Sequence, residues 1–274
     1  MAMTSGLLVT TRNASFQQWQ ALLTNRTKRR RAGEFLVQGV RPITLAVEHG
    51  WNVGTLIYPD RQALSAWARE MLDRSGATPV AMAPDLLAEL AGKEASELLA
   101  VVAMPPDRVD RIPIGPRLLV VVFDRPATPG NIGTLIRSAD AFGAAGVIVT
   151  GHAADPYDPI SVRASTGSIF ALPVLRADSH REVLDWVADL RADGLPVEIA
   201  GTDEHGAIDV AEYDLTGPRV LLVGNETHGL STGWREACDA MVRIPITGAA
   251  SSLNAASAAT VVLYEARRQR MRPA

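Results

Sequence analysis

The sequence predicts an α/β protein with a small N-terminal domain followed by a larger one built on a parallel sheet. Three observations carry this expectation. Short apolar runs alternate with helix-length segments along most of the chain, the pattern of strands joined by crossover helices. Leu118–Phe123 (L-L-V-V-V-F) is apolar without interruption, as in a strand covered on both faces. Between these regions, Pro105–Arg117 holds four prolines among paired charges. Proline fixes φ and removes a donor, so this stretch reads as a linker.

Taken in order, residues 1–34 read as a basic arm and 35–105 as the small domain. Phe35–Val40 is a strand, Pro42–His49 a helix closed by Gly50, Val53–Tyr58 a strand and Ala63–Leu72 a helix. Pro79–Ala83, Pro84–Leu90 and Leu98–Met104 follow as strand, helix and strand, giving a largely parallel sheet with helices packed on it. Residues 106–117 are the linker and 118–274 the second domain. There the strand Leu118–Phe123 leads to helix Ile132–Phe142, strand Val147–Thr150, a polar loop and a short helix near Ile160–Thr166. Helix Arg181–Arg191, strands Val197–Ala200 and Val220–Val223, helix Thr232–Asp239, strand Met241–Ile244 and a helix from Leu253 to about Gln269 complete the pattern.

Composition narrows the function classes. The chain has 274 residues, 47% of them hydrophobic, and no apolar run approaches the ~20 residues of a membrane helix. The N-terminus lacks the basic-then-apolar signal pattern, so a soluble cytoplasmic protein is expected. The single Cys238 excludes an internal disulfide framework, and five scattered His residues show no zinc spacing; no metal is expected. Net charge is −3, but the distribution is uneven. Arg12, Arg26, Lys28, Arg29, Arg30, Arg31 and Arg41 face only Glu34 in the first 41 residues, with Phe16 and Trp19 just upstream of the cluster. A second basic run, Arg267, Arg268, Arg270 and Arg272, lies near the C-terminus. Arginine forks bind phosphate bidentately, so Arg26, Lys28, Arg29, Arg30, Arg31 and Arg41 are candidate RNA contacts.

No G-x-G-x-x-G follows a strand, and neither a P-loop nor a G-x-S-x-G elbow occurs. What stands out is three polar loops at strand ends: P-G-N-I-G-T-L-I-R-S-A-D-A-F-G (Pro129–Gly143), L-L-V-G-N-E-T-H-G-L-S (Leu221–Ser231) and I-P-I-T-G-A-A-S-S-L-N (Ile244–Asn254). Glycine lets such loops bring backbone groups close to a small polar ligand. Asn131 reads as a helix N-cap, with Arg137 six residues on near the same mouth. Glu226 is placed to orient backbone or to bind a cationic ligand edge, while His228 reads as an exposed loop residue. Ser252 and Asn254 straddle Leu253, with Ser251 or Ser252 as the cap of the last helix.

These three segments resemble, in order, the signature motifs of the SpoU (TrmH-like) RNA ribose 2′-O-methyltransferases, and the match spans Leu118–Arg270. The segment F-L-V-Q-G-V-R-P-I-T-L-A-V-E-H-G looks like the L30e-like RNA-binding domain that often precedes them. F-Q-Q-W-Q-A-L-L, the same G-V-R-P-I-T-L-A-V-E-H-G stretch and H-A-A-D-P-Y-D-P resemble the actinobacterial antibiotic-resistance branch of the family, the avilamycin-resistance enzymes among them. The resemblance implies a trefoil-knotted C-terminal domain, S-adenosylmethionine as cofactor, a homodimer, and 23S rRNA as substrate, with a uridine among the candidate targets. It assigns Arg137 to activation of the ribose 2′-hydroxyl, with Asn131, Glu226, Ser252 and Asn254 in the catalytic set. Cofactor contacts would come largely from backbone at Ala200, Gly201, Thr202, Val223, Gly224, Asn225, Gly229, Ile244, Pro245, Ile246, Ser252 and Leu253. Arginine is a poor base, its pKa lying above ~12. Arg137 would therefore either stabilise the developing alkoxide or act with a neighbouring RNA phosphate. A tRNA methyltransferase and a non-catalytic RNA-binding or ribosome-assembly protein are the alternatives. Retention of all five motif residues favours the enzyme.

Overall fold

The structure, a computed structural model, describes residues 7–92, 96–249 and 252–271. In chain order the elements are β1 (Leu7–Val9), α1 (Ala14–Thr24), α2 (Arg26–Ala32), β2 (Glu34–Gln38), α3 (Val40–Glu48), β3 (Val53–Pro59), α4 (Ala66–Arg74), β4 (Thr78–Met82), α5 (Pro84–Ala91) and β5 (Leu99–Ala103). They continue with β6 (Leu119–Asp124), α6 (Pro129–Ala141), β7 (Gly146–Thr150), α7 (Pro159–Ala164), β8 (Val174–Ala177), α8 (His180–Ala192), β9 (Glu198–Thr202), β10 (Ile208–Asp209), β11 (Arg219–Val223), α9 (Thr232–Ala237), β12 (Ala240–Arg243) and α10 (Ala255–Arg270). Two compact units form: residues 1–105 with 157–171, and 106–156 with 172–274.

The first unit is a five-stranded sheet of order β1-β4-β3-β5-β2. It is mixed rather than largely parallel, because β5 runs antiparallel to both neighbours. Residues 7–34 are not an arm. β1 pairs with β4, and Phe16, Trp19 and Leu22 of α1 are buried against Val80, Leu86 and Leu90. Asn13 and Asn25 cap α1 and α2 through their side chains, which is why two short helices fit into a stretch whose charges suggested a tail. Residues 1–6 lie outside the described residues.

The helix expected near Ile160–Thr166 forms as α7, but it packs in the first unit and not with its sequence neighbours. Phe35 and Leu36 point to opposite faces of β2. Leu36 joins the α1 core, while Phe35 meets Tyr157 at 4.8 Å between ring centroids and Phe170 at 6.2 Å. Trp51 packs edge-on to Phe170 at 5.0 Å and donates from Nε1 to its carbonyl oxygen. Asp158 Oδ1 caps α7, while Oδ2 accepts from the Arg29 guanidinium at 3.1 Å. Arg29 itself is 2% exposed and also donates to the Leu22 carbonyl. It is a buried tie between α2, the end of α1 and the inserted segment.

The second unit holds a seven-stranded sheet of order β10-β12-β9-β11-β6-β7-β8, parallel at every junction. Every residue of β6 is buried. Val120 and Val122 face a core with Val183, Trp186, Val187 and Trp234 of α8 and α9. By the two-residue period, Leu119, Val121 and Phe123 face the other layer, where α6 packs on α10 and Ser138 bonds Thr260. The proline-rich stretch is more than a linker: Ile112 is 1% exposed in this core, and Asp107 holds the backbone and guanidinium of Arg176 on β8. β8 and β10, which the sequence reading did not include, form the two sheet edges.

Replacing Arg29 by Ala would leave Asp158 and two carbonyls without this partner. We expect a loss of about 3 kcal/mol in unfolding free energy, read from the denaturant midpoint, whereas Arg30→Ala on the exposed face changes it by less than about 0.5 kcal/mol.

Candidate active site

In parallel sheets ligands bind beyond the carboxyl ends of the strands, and here four neighbouring strands, β12, β9, β11 and β6, end side by side. Each opens into one of the polar segments singled out in the sequence or into the turn after Thr202. The base of this end is Asp124, 3% exposed on β6. Its carboxylate accepts from the Ser231 N–H at 2.8 Å and from the Arg125 guanidinium at 3.0 Å. Arg125 adopts φ of +50°, a conformation that costs an L-residue of order 1–3 kcal/mol. The bonds it makes offset that cost: its carbonyl accepts from Asn225 Nδ2 at 2.6 Å and its Nη2 donates to the Gly229 carbonyl.

The loop Gly224–Gly229 closes on itself. Asn225 and Gly229 exchange both backbone hydrogen bonds at 3.0 Å, and Asn225 Oδ1 accepts from the N–H groups of Thr227 and His228. A Cβ on Gly224 would lie 2.5 Å from the Gly229 carbonyl carbon, and Gly229 has φ of +63°. Both glycines of G-N-E-T-H-G are therefore required by the turn. Its tip carries Glu226 toward α6.

Glu226 collects three donors: the Ala127 N–H at 3.1 Å, Thr128 Oγ1 at 3.3 Å and Asn131 Nδ2 at 2.7 Å. Asn131 Oδ1 in turn accepts from Asn254 Nδ2 at 3.1 Å. Asn254 Oδ1 accepts from the N–H groups of Ala256 and Ser257 and so caps α10. One chain of side-chain bonds thus ties the segments after β6, β11 and β12. Partial burial works against ionisation of Glu226, but the bonds from Asn131, Ala127 and Thr128 outweigh it and hold the carboxyl below its usual range. Two capping expectations are corrected. Thr128, not Asn131, occupies the N-cap of α6, leaving Asn131 in the first turn where its amide reaches Glu226. Asn254, not Ser252, caps α10, and Ser251 lies outside the described residues.

The segments after β9, β11 and β12 line a cleft of about 360 Å³, within the size range of small-ligand sites. Of the expected cofactor contacts, Thr202, Val223, Gly224, Asn225, Gly229, Ile244, Ile246, Ser252 and Leu253 line it, as does Glu226. Ala200 and Gly201 do not. Both are buried inside β9 with their backbones in the ladders to β11 and β12, and Thr202 is the first position past them on the cleft. Pro245 is exposed, as extended chain turns alternate side chains outward between Ile244 and Ile246. The sequence reading missed Asp203, Glu204 and Arg235, and it set aside His228, yet all four line the cleft. Asp203 and Arg235 form an ion pair at 2.5 Å. The acidic pair directly after a strand was the available signal; nothing in the pattern placed Arg235 beside it.

Arg137 lies on the exposed side of α6 and makes no hydrogen bond or ion pair among the described residues. Of the basic cluster, Lys28, Arg30, Arg31 and Arg41 are exposed, and Arg41 donates to the Thr166 carbonyl. Arg29 is corrected from a phosphate contact to a buried tie, and Arg26 is half-buried. In the C-terminal run, Arg268 pairs with Glu265. Arg270 donates to the carbonyls of Leu215, Leu118, Arg117 and Gly217. Burial, with Arg117 and Arg219 nearby, lowers its pKa to about 10. Arg272 lies outside the described residues.

Comparisons with known proteins agree on one family. Residues 118–264 match the SpoU rRNA Methylase family and residues 13–100 the SpoU L30e-like domain. The chain is 62% identical over 265 residues, 96% of its length and 92% of the other's, to the 23S rRNA (uridine(2479)-2′-O)-methyltransferase of Streptomyces viridochromogenes. It is similar to the crystal structure of the SpoU methyltransferase AviRb from that organism in complex with AdoMet, with TM-score 0.92 and 62% identity over 95% of this chain and 99% of that one. An AdoMet-bound rRNA methyltransferase from Sinorhizobium meliloti is similar with TM-score 0.86 and 30% identity, covering 97% and 98% of the two chains.

The depressed carboxyl of Glu226 sets a pH dependence. A group whose folded pKa lies below its unfolded value contributes stability above the unfolded value, ~4.3 for Glu. That contribution is lost as pH falls through the folded value. The amide resonance of Ala127 is expected to stay constant as pH falls from neutral and to shift only as the Glu226 carboxyl protonates below the usual glutamate range, and Glu226→Gln should abolish that acid transition.

Proposed function

Because the chain belongs to the SpoU rRNA methylase family, we propose that it is an S-adenosylmethionine-dependent 2′-O-ribose methyltransferase acting on 23S rRNA. One observation carries this: the segments after β9, β11 and β12 line one cleft, and Glu226, Asn131 and Asn254 tie the last two to the segment after β6 beside it. They do so in a chain 62% identical to a 23S rRNA uridine 2′-O-methyltransferase. The cleft suits the donor's chemistry. Val223, Ile244, Ile246 and Leu253 offer apolar walls for a flat ring, and Thr202, Asn225 and Ser252 offer polar groups for a ribose and an amino-acid tail. Gly224 and Gly229 leave backbone open to close approach.

When bound, S-adenosylmethionine supplies an electrophilic methyl carbon on a sulfonium. The protein's own share is to hold an incoming ribose in line with that carbon, and positioning of this kind can contribute several kcal/mol. Arg137, exposed and without a carboxylate partner among the described residues, is free to meet RNA. Its fixed positive charge stabilises the alkoxide that develops as the 2′-hydroxyl proton departs to solvent, or holds an adjoining phosphate. Glu226, Asn131 and Asn254 act at one remove, by fixing the loops, and Ser252 lies on the cleft wall. Lys28, Arg30, Arg31 and Arg41 supply phosphate contacts from a substrate-binding domain centred on residues 35–105.

The reading extends to a homodimer and to the family's trefoil-knotted chain path. Val261 and Tyr264 on α10 and Met271 just past its end expose 39%, 56% and 66% of their surface at one- to two-turn spacing, a patch that a second copy of the chain would cover. A uridine target, a resistance role against a ribosome-directed antibiotic and a cytoplasmic location follow from the same similarity.

Incubation with tritiated donor and unmodified 23S rRNA should label one ribose; label on tRNA alone would redirect the substrate assignment. Arg137→Ala is expected to lower transfer at least about 100-fold with RNA binding retained. The double variant Arg30→Ala, Arg31→Ala should flatten the slope of log affinity against log salt by about 1.5. Tyr264→Arg should shift the mass in solution toward the monomer, measured by sedimentation.

A further inference from the structure

The charged groups lining the cleft are unbalanced: three carboxylates, Asp203, Glu204 and Glu226, face one guanidinium, that of Arg235, with His228 the remaining titratable group among the described residues. Asp203 and Arg235 pair at 2.5 Å and cancel. Arg125, behind the loop, is paired with Asp124. Glu226 is satisfied entirely by neutral donors, an N–H, a hydroxyl and an amide, so its negative charge is fixed in place without a neutralising cation. Glu204 has about half its side chain exposed, and its one ion-pair partner among the described residues is His205, at 3.5 Å.

From this arrangement we propose that the cleft selects the cationic methyl donor over its neutral product through the uncompensated carboxylates of Glu204 and Glu226, so that spent cofactor is released rather than retained. The inference rests on the cofactor reading above. In the transfer, the methyl carbon bonds the ribose oxygen, the C–S bonding pair stays on sulfur, and the hydroxyl proton leaves to solvent. Sulfur passes from a sulfonium to an uncharged thioether, while the ammonium and carboxylate of the amino-acid tail are the same before and after. Ring recognition and tail contacts are common to both ligands, which differ by the transferred methyl and the charge on sulfur. The change in the donor-to-product affinity ratio between the wild type and a charge variant therefore isolates the field at that atom, because the methyl is the same in both proteins.

The test uses the full chain and calorimetric dissociation constants for three probes: S-adenosylmethionine, S-adenosylhomocysteine, and sinefungin, which carries a protonated amine in place of the sulfonium. Glu204→Gln removes one charge from an exposed turn that takes no part in the Glu226 network, and Glu204→Lys reverses it. The ratio of donor to product affinity is expected to fall about three- to tenfold in the first and further in the second, scaled for a charge in partly screened surroundings. Sinefungin should follow the donor, and raising salt from about 50 to about 500 mM should compress the wild-type ratio. Equal weakening of all three probes would assign Glu204 a structural role and overturn the proposal. An unchanged ratio with all three bound would overturn it also. If none of the three binds the wild-type chain, the cofactor reading fails first and takes this inference with it.

Discussion

The Glu226 carboxylate is where the separate pieces of the second unit become one site. A parallel sheet delivers loops to a common edge, but it does not by itself decide how they sit against one another; loops are the least constrained parts of such folds. Here one anion accepts from backbone, hydroxyl and amide donors of the segment after β6, and the amide relays the connection to the start of α10. Charge-assisted bonds of this kind are stronger than neutral ones, and a carboxylate with several acceptor sites can serve several donors at once. Replacing any member would leave the other loops intact but unregistered.

Beneath that network lies a second constraint. Asp124 is buried at the end of a strand with no exposed residue, and its only reason to be there is to gather Ser231, Thr150 and Arg125. Burying a charge without partners is costly, so the surrounding loops are obliged to present theirs. Arg125 accepts a left-handed backbone for the same reason. Scaffold and site are in this sense continuous: the apolar sheet ends in an anion, and the anion ties the turn after β6 to the loop after β11.

Much of this was legible in the sequence, and the failures are instructive. The apolar run at Leu118–Phe123 identified a doubly covered strand, because hydrophobic period reports burial directly. The three polar segments were recognisable as a set, and Glu226, Asn131 and Asn254 proved to meet. Their actual bonds were not readable, since a cap and a cross-loop amide use the same residue type at the same helix start. Arg29 looked identical to Arg30 and Arg31 in a run of like charges; only the three-dimensional fold distinguishes the one turned inward to Asp158. The family resemblance implied Ala200 and Gly201 as cofactor contacts, but β9 runs two residues beyond the strand end read from the sequence and encloses both. Arg235, from a different helix, met Asp203 through tertiary folding alone.

The return of residues 157–171 to the first unit has a temporal side. Chains emerge from the ribosome N-terminus first, and domains ordinarily fold as they clear it. This N-terminal sheet has all five strands by Ala103, yet Phe35 and Trp51 still await Tyr157 and Phe170, and Arg29 awaits Asp158. Until Ala171 has been made, the Arg29 guanidinium lacks its carboxylate, and Phe35 and Trp51 meet each other but not the rings of Tyr157 and Phe170. By then β6 and β7 of the second sheet have already been synthesised. The two units of this protein are therefore interleaved during synthesis, the first waiting on chain that lies, by sequence position, within the second.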